Sequence, residues 1–219
     1  MQQLLKMEPP KSSDEYKNIA PLYDVVLSSS LLTIRKEVCR IARRRRFRNI
    51  VDICCGTGQQ CIMLNELGFK VTGIDLSPGM IEVARRKSQR LNIRYYVEDG
   101  TALHFDDHVF DCAILSFSLH EKDEASRGRI IEEALRVVTP DGRMILVDYL
   151  SPRHFKSVLA SVFINVIERL AGKSHHRNFK QFMREGALES LVAHHRLTAT
   201  HTRKYHFGAT ALMEVARER

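Results

Sequence analysis

A chain of 219 residues with a net charge of +8, 44% hydrophobic and 27% charged, has room for one sizeable core and the balance of a globular domain. No apolar run approaches the ~20 residues that span a bilayer, and polar Met1–Lys17 lacks the apolar centre of a signal peptide, so a cytoplasmic protein is expected. Five cysteines, an odd number without a C-x-x-C pair, suggest neither a disulfide framework nor a structural zinc site.

Residues 1–15 read as a loose tail. Leu31, Ile34, Val38, Ile41 and Ala42 share one face of a helix predicted over Leu31–Arg45. Arg43–Arg46 and Arg48 close it. Basic side chains favour helix C-termini, so this run reads as a solvated helix end. A nucleic-acid footprint is disfavoured, since only Phe47 interleaves as a stacking platform.

Strand and helix then alternate. Asn49–Cys54 reads as a strand, Gly58–Leu67 as a helix ended by Gly68, and Lys70–Ile74 as a strand. Ser77-Pro78 is a cap for a helix running to about Leu91. Ile93–Val97 and Phe110–Phe117 are strands, and Lys122–Val138 is a helix broken by Pro140 and the turn Asp141-Gly142. Arg143–Asp148 is a fifth strand. Cys54, Cys55 and Cys112 lie in apolar runs and are expected to be buried. This alternation predicts a doubly wound α/β fold whose parallel sheet binds ligands beyond its carboxyl ends.

The last third differs. Phe155, Val158, Leu159, Val162, Phe163, Val166, Ile167 and Leu170 repeat at helical spacing. They predict a helix docked on the sheet, with a roof over an apolar pocket as the other option. A short helix is expected over Asn178–Val192. Arg196–Thr202 and Tyr205–Val215 read as strands joined by a tight turn near Arg203-Lys204, an antiparallel edge.

Chemistry concentrates at the strand ends. Val51–Gly58 places two glycines, Gly56 and Gly58, between the first strand and the first helix, where the backbone can approach a ligand. Asp75 ends the second strand about 20 residues beyond them, the spacing at which a carboxylate accepts ribose hydroxyls of an adenosine-containing cofactor. Glu98-Asp99-Gly100 follows the third strand and Ser116–Glu121 the fourth. The placement of these sites at four successive strand ends carries more weight than any one of them.

With these segments in view, the sequence resembles the class I S-adenosylmethionine (SAM)-dependent methyltransferases, in particular their ubiquinone/menaquinone-biosynthesis branch. Val51–Gly58, Gly73–Ala84, Glu98–Ala102, Asp111–His120 and Leu135–Asp148 carry the likeness. It implies one Rossmann-like domain over 1–219, with a mostly parallel seven-stranded sheet and an antiparallel C-terminal edge hairpin. Residues 1–48 would form the tail and lid, 49–148 the SAM-binding core, and 149–219 the substrate side. It also implies roles. Asp52, Cys54, Gly56 and Gly58 would surround the methionine portion of SAM, Asp75 the ribose, Leu76 and Met80 the adenine, and Asp99 and Gly100 the adenine edge. Ser116 and His120 would border the sulfonium, and Tyr16 and Tyr23 would form a lid near the methyl group. The family often has glycine where this chain has Cys54.

Methyl transfer from a sulfonium expels a neutral leaving group and requires no metal; the protein aligns the atoms and excludes water. His120 is the candidate base and Tyr23 a second catalytic candidate. His176 and Arg177 are acceptor-pocket candidates. The adjacent pairs His175-His176 and His194-His195 do not form the i, i+4 spacing of a helical metal site, so no metal is expected. A nicotinamide-dependent oxidoreductase is disfavoured because Cys61 stands at the third fingerprint glycine. A non-catalytic SAM-binding protein and a nucleic-acid methyltransferase are the other readings; the latter lacks an Asn-Pro-Pro-Tyr-like motif after the fourth strand. A small-molecule or lipid-like acceptor is favoured, with homodimerisation left open.

Overall fold

The computed structural model describes residues 20–170 and 173–218, with side chains from Leu31 onward. Its strands are β1 (Asn49–Ile53), β2 (Lys70–Asp75), β3 (Ile93–Val97), β4 (Phe110–Ser116), β5 (Val138–Tyr149), β6 (Leu197–Tyr205) and β7 (Thr210–Arg217). They hydrogen-bond in the order β3-β2-β1-β4-β5-β7-β6. β7 runs antiparallel to β5 and β6, and every other pair is parallel. This is the doubly wound, seven-stranded sheet with an antiparallel C-terminal edge that the alternation predicts. Strand order reverses between β1 and β4, which opens a crevice at their carboxyl ends.

The helices are α1 (Ala20–Arg45), α2 (Gln59–Asn65), α3 (Pro78–Lys87), α4 (Glu124–Val137), α5 (Phe155–Leu170), α6 (Lys173–Arg184) and α7 (Ala187–His194). The central strands are apolar on both sides because both faces are covered. Val51, Ile53, Ala113, Leu115 and Leu146 pack with Ile130, Ile131 and Ala134 of α4 and with Phe179 and Phe182 of α6. Ile50, Cys112, Ile114, Ile145 and Val147 pack with Ile34, Val38 and Ile41 of α1, and with α2 and α3.

Several boundaries depart from the sequence reading. α1 begins at Ala20 rather than Leu31. α4 starts at Glu124 because Asp123 caps it, accepting from the Ser126 amide at 3.1 Å, and Leu119–Glu121 forms a separate 3-10 turn. β5 runs through the predicted Pro140–Gly142 turn. The register breaks there, from Phe110↔Val138 to Cys112↔Arg143, so no ladder bond asks for the amide that proline lacks. The helix predicted over Asn178–Val192 is two helices, divided at Gly186 with φ +94°. The last hairpin turns at His206–Gly208, not at Arg203-Lys204. Three successive left-handed residues, of which Gly208 is the permissive one, reverse the chain.

Two environments also differ. Among the described residues α5 packs chiefly on α6 and on the His206–Gly208 turn, leaving Phe155, Val158 and Leu159 exposed and burying Ser157 and Glu168, the latter against Tyr149 of β5. The side chains of Val162, Phe163, Val166, Ile167 and Leu170 lie outside the described residues. The basic run is more than a solvated helix end, because Arg44 (2.7 Å) and Arg45 cover the fully buried carboxylate of Glu214 on β7.

Candidate active site

The crevice is built by the turn that follows β1. Cys54, Gly56 and Gly58 all take left-handed φ, +61°, +54° and +74°. The glycine preference noted for position 54 therefore has a backbone cause, and a non-glycine residue there costs about 1–2 kcal/mol. Cys54 and Cys55 are half-buried rather than core residues; only Cys112 is fully buried. Burial pushes the Cys54 thiol up to about 12. A Cβ on Gly58 would fall 2.5 Å from the Tyr95 hydroxyl, whereas one on Gly56 meets nothing within 4 Å. Gly58 is demanded by packing, and Gly56 faces open space.

Asp75 locks this turn to β2. Its Oδ2 accepts from the Gly56 amide at 2.8 Å and its Oδ1 from the Ser77 amide at 2.9 Å. Each oxygen keeps a lone pair for a further donor. Leu76 beside it is 51% exposed. Ser77 caps α3, accepting from the Met80 amide at 3.3 Å and placing half-buried Met80 across from Leu76. Asp99 is exposed after β3 and accepts from the Thr101 amide at 2.9 Å. Gly100 is buried, where a Cβ would press on Ile53 at 3.0 Å. Asp52 is different. It lies on the α1–α2 side, 2% exposed, accepting from the Cys61 thiol at 3.3 Å. Burial raises its pKa to about 7, against the thiol bond and the charge of Arg35.

Ser116 ends β4, followed by Phe117 with φ +52° and by the Leu119–Glu121 turn that carries His120. His120 is 1% exposed. Its Nδ1 lies 2.7 Å from Asp148 Oδ1 at the end of β5, and its Nε2 lies 3.6 Å from Glu168 Oε2 of α5. Asp148 also accepts from the amides of Leu119 and His120 at 3.2 and 3.3 Å, which fixes the turn. Burial opposes the His120 charge, but Asp148 and Glu168 outweigh it and its pKa rises well above the ordinary imidazole range.

Residues 50–142 match a methyltransferase domain family. The chain is 31% identical over 147 residues to the demethylmenaquinone methyltransferase of Thermus thermophilus, covering 63% of this chain and 65% of that protein. It is 26% identical to the Renibacterium salmoninarum protein of the same name, covering 78% and 73%. The chain is thus similar to methyltransferases, and it spans 65% of the length of the Thermus thermophilus relative. The fold agrees. The magnesium protoporphyrin IX methyltransferase of Synechocystis, solved with bound SAH, superposes with a TM-score of 0.60 at 16% identity, over 85% of this chain and 83% of that one.

The residues expected on the acceptor side scatter. Tyr16 lies outside the described residues, as does the side chain of Tyr23, whose backbone belongs to α1. Arg177 is exposed on α6, and half-buried His176 stacks on Phe179 with ring centroids 6.4 Å apart. The inward histidine of that helix is His175, 8% exposed, which contacts Glu168 directly. Tyr149 donates to the other Glu168 oxygen at 2.7 Å. Burial alone would raise the Glu168 pKa; His120 and His175 reverse that and hold it well below the ordinary carboxylate range. Sequence reasoning missed this cluster. It tested neighbouring histidines for metal spacing, whereas His120, Glu168 and His175 come from three elements and lie within 4.8 Å of one another through their ligating atoms.

Lys122 was also missed. Burial works against its charge, but Cys54, Glu121, Asp75 and Asp99 outweigh this and raise its pKa, marking it as a cation at the donor crevice. Its one sequence signal was its place just after the Ser116–Glu121 segment.

Proposed function

We propose that this chain lays SAM across the carboxyl ends of β1–β4 and transfers its methyl group to a small, quinone-like ring. The observation that carries the donor half is the Asp75–Gly56 bond. It closes a loop over open space beside a carboxylate with spare lone pairs and an exposed leucine. In this reading Asp75 holds the ribose, Leu76 and Met80 flank the adenine, and Asp99 and Gly100 meet its edge. Asp52, Cys54, Gly56 and Gly58 surround the methionine portion, and Ser116 borders the sulfonium. The leaving group is neutral, so the chain's work is alignment and exclusion of water.

The acceptor half rests on the curated relatives, which are named for a demethylmenaquinone substrate. We assign Tyr16 and Tyr23 to the lid over the methyl group, Tyr23 as the catalytic candidate, and His176 and Arg177 to the acceptor's outer edge. His120 takes a positioning role at the acceptor end, since both its ring nitrogens face carboxylates. Exposed Phe155, Val158 and Leu159 suit an acceptor with an apolar tail. A small molecule is favoured over nucleic acid because Arg44 and Arg45 are engaged by Glu214. A cytoplasmic site of action fits the five free cysteines, and no helix among the described residues is long and apolar enough to cross a membrane.

Incubation with SAM and a short-chain naphthoquinol should yield a product one methyl group heavier by mass spectrometry, with binding of S-adenosylhomocysteine by calorimetry. Folded protein that binds neither SAM nor its demethylated product overturns the donor half. Binding without transfer to any ring acceptor overturns the acceptor half.

A further inference from the structure

We propose that His120, Glu168 and His175 are the ligands of a divalent transition-metal ion, zinc by its donor set, which clips α5 and α6 to the carboxyl edge of β4 and β5. The inference goes beyond the methyltransferase reading and stands without it.

Three observations carry it. The first is convergence. His120 sits in the turn after β4, Glu168 on α5 and His175 on α6. Their ligating atoms lie within 4.8 Å of one another, and the residues are 1%, 1% and 8% exposed. Tetrahedral zinc with bonds of ~2.1 Å sets its ligand atoms about 3.4 Å apart. His120 Nε2 and Glu168 Oε2 are already 3.6 Å apart. The ion would take the place of the direct contact between His175 and Glu168.

The second is that His120 and Glu168 are each oriented from behind. Asp148 Oδ1 holds His120 Nδ1 at 2.7 Å, so Nε2 is the nitrogen turned toward Glu168. The Tyr149 hydroxyl holds Glu168 Oε1 at 2.7 Å, which aims Oε2 at both rings. His175 turns its Nε2 inward to Glu168, with Glu121 Oε1 3.9 Å from Nδ1, a charge contact beyond hydrogen-bond distance. A histidine whose second nitrogen meets a carboxylate is the usual support of a metal ligand, because it fixes the tautomer and strengthens the inward lone pair.

The third is charge. Asp148 and Glu168 are two buried carboxylates, and among the described residues no lysine or arginine pairs with either. Buried carboxylates require compensation. His120 and His175 are their cationic partners among the described residues; a divalent ion would take over that role and use the inward lone pairs of both rings once neutral. Two histidines and one carboxylate are a recognised zinc set, and three protein ligands leave a fourth position open. A water would fill it.

The test uses the full chain without a histidine tag, stripped by chelator and free of SAM. One equivalent of cobalt(II) should give the intense visible bands of tetrahedral coordination, bleached by one equivalent of zinc. Zinc at about a hundredfold over Kd should raise Tm by roughly 5–10 °C. Glu168→Gln and His175→Ala should lose both responses, while His194→Ala/His195→Ala keeps them. If either ligand variant fails to fold, X-ray absorption on the zinc-loaded wild type decides: two imidazoles in its inner shell support the site, and fewer than two overturn it. Wild-type protein with neither cobalt bands nor a Tm rise overturns it, and the cluster is then a protonated histidine–carboxylate network. Bands that survive in both ligand variants overturn it too, because the ion is elsewhere.

Discussion

Two glycines in one turn should separate folding from donor binding. At Gly58 an added Cβ falls 2.5 Å from Tyr95 Oη and 2.9 Å from Ala84 Cβ, at φ +74°. A left-handed alanine costs about 1–2 kcal/mol and overpacking about 1–3 kcal/mol, so Gly58→Ala should lose about 2–5 kcal/mol. For a chain of this size, at roughly 2–4 °C per kcal/mol, Tm falls by about 4–20 °C. Tyr95→Phe in the same background removes the Oη collision and should restore part of the loss. At Gly56 φ is +54° but the Cβ meets no atom within 4 Å. Only the backbone term remains, about 1–2 kcal/mol. If the amino-acid end of SAM fills that open space, the new methyl collides with the ligand instead of the protein. Thermal melts and calorimetry with S-adenosylhomocysteine read the two effects independently. Gly58→Ala melting no lower than Gly56→Ala would refute the packing argument. Gly56→Ala binding the ligand within twofold of wild type would refute the placement of the donor.

Other perturbations test the site and its frame. Asp75→Ala removes the ribose acceptor; two hydrogen bonds to a charged group at about 1.5–3 kcal/mol each predict a 10²–10⁴-fold rise in the Kd of S-adenosylhomocysteine by calorimetry. Asp52 titrates near 7 when folded against 3.8 unfolded, raised chiefly by burial. The folded state therefore binds the extra proton between about pH 4 and 7, and stability falls as pH rises through that window, by on the order of 4 kcal/mol. Asp52→Asn should melt above wild type at pH 8 and converge with it near pH 4; parallel Tm profiles would exclude this. Arg44→Ala/Arg45→Ala strands the buried Glu214 carboxylate and should cost about 3–5 kcal/mol in chemical denaturation, with Glu214→Gln recovering most of it.

How much of this was legible in the sequence depended on how local the determinant was. The strand ends from Asp52 to Ser116 were readable because each site lies within one strand–turn–helix step, where apolar runs, capping Ser77 and turn glycines all act at short range. α5 was only partly legible for the opposite reason. Its stripe promised a docked face, but its first turns leave Phe155, Val158 and Leu159 exposed, while polar Ser157 and Glu168 are buried. Periodicity finds an apolar face without saying what covers it. The hairpin turn was misplaced because charged Arg203-Lys204 was preferred to Gly208, the residue whose backbone permits φ +88°. Gly186 was the corresponding signal inside the presumed single helix.

The proposed function divides donor and acceptor between halves that the chain writes differently. The residues proposed for the donor lie on turns and side chains between positions 52 and 122, supported by a parallel sheet whose ladder sets their spacing to within one strand. The proposed acceptor end comes from an insertion: α5, α6 and α7 lie between β5 and β6, and the chain returns as an antiparallel edge. Glu168 thereby reaches His120 across 48 residues of sequence (168 less 120), and His175 joins the cluster through Glu168. The join between the halves adds a polar cluster, buried at the ends of β4 and β5, to the apolar packing of Phe179, Phe182 and Leu188. Apolar packing alone would tolerate sliding of the insertion. Directional bonds from Asp148, Tyr149 and Glu168 hold it to one position, which in-line transfer demands of whatever presents the acceptor.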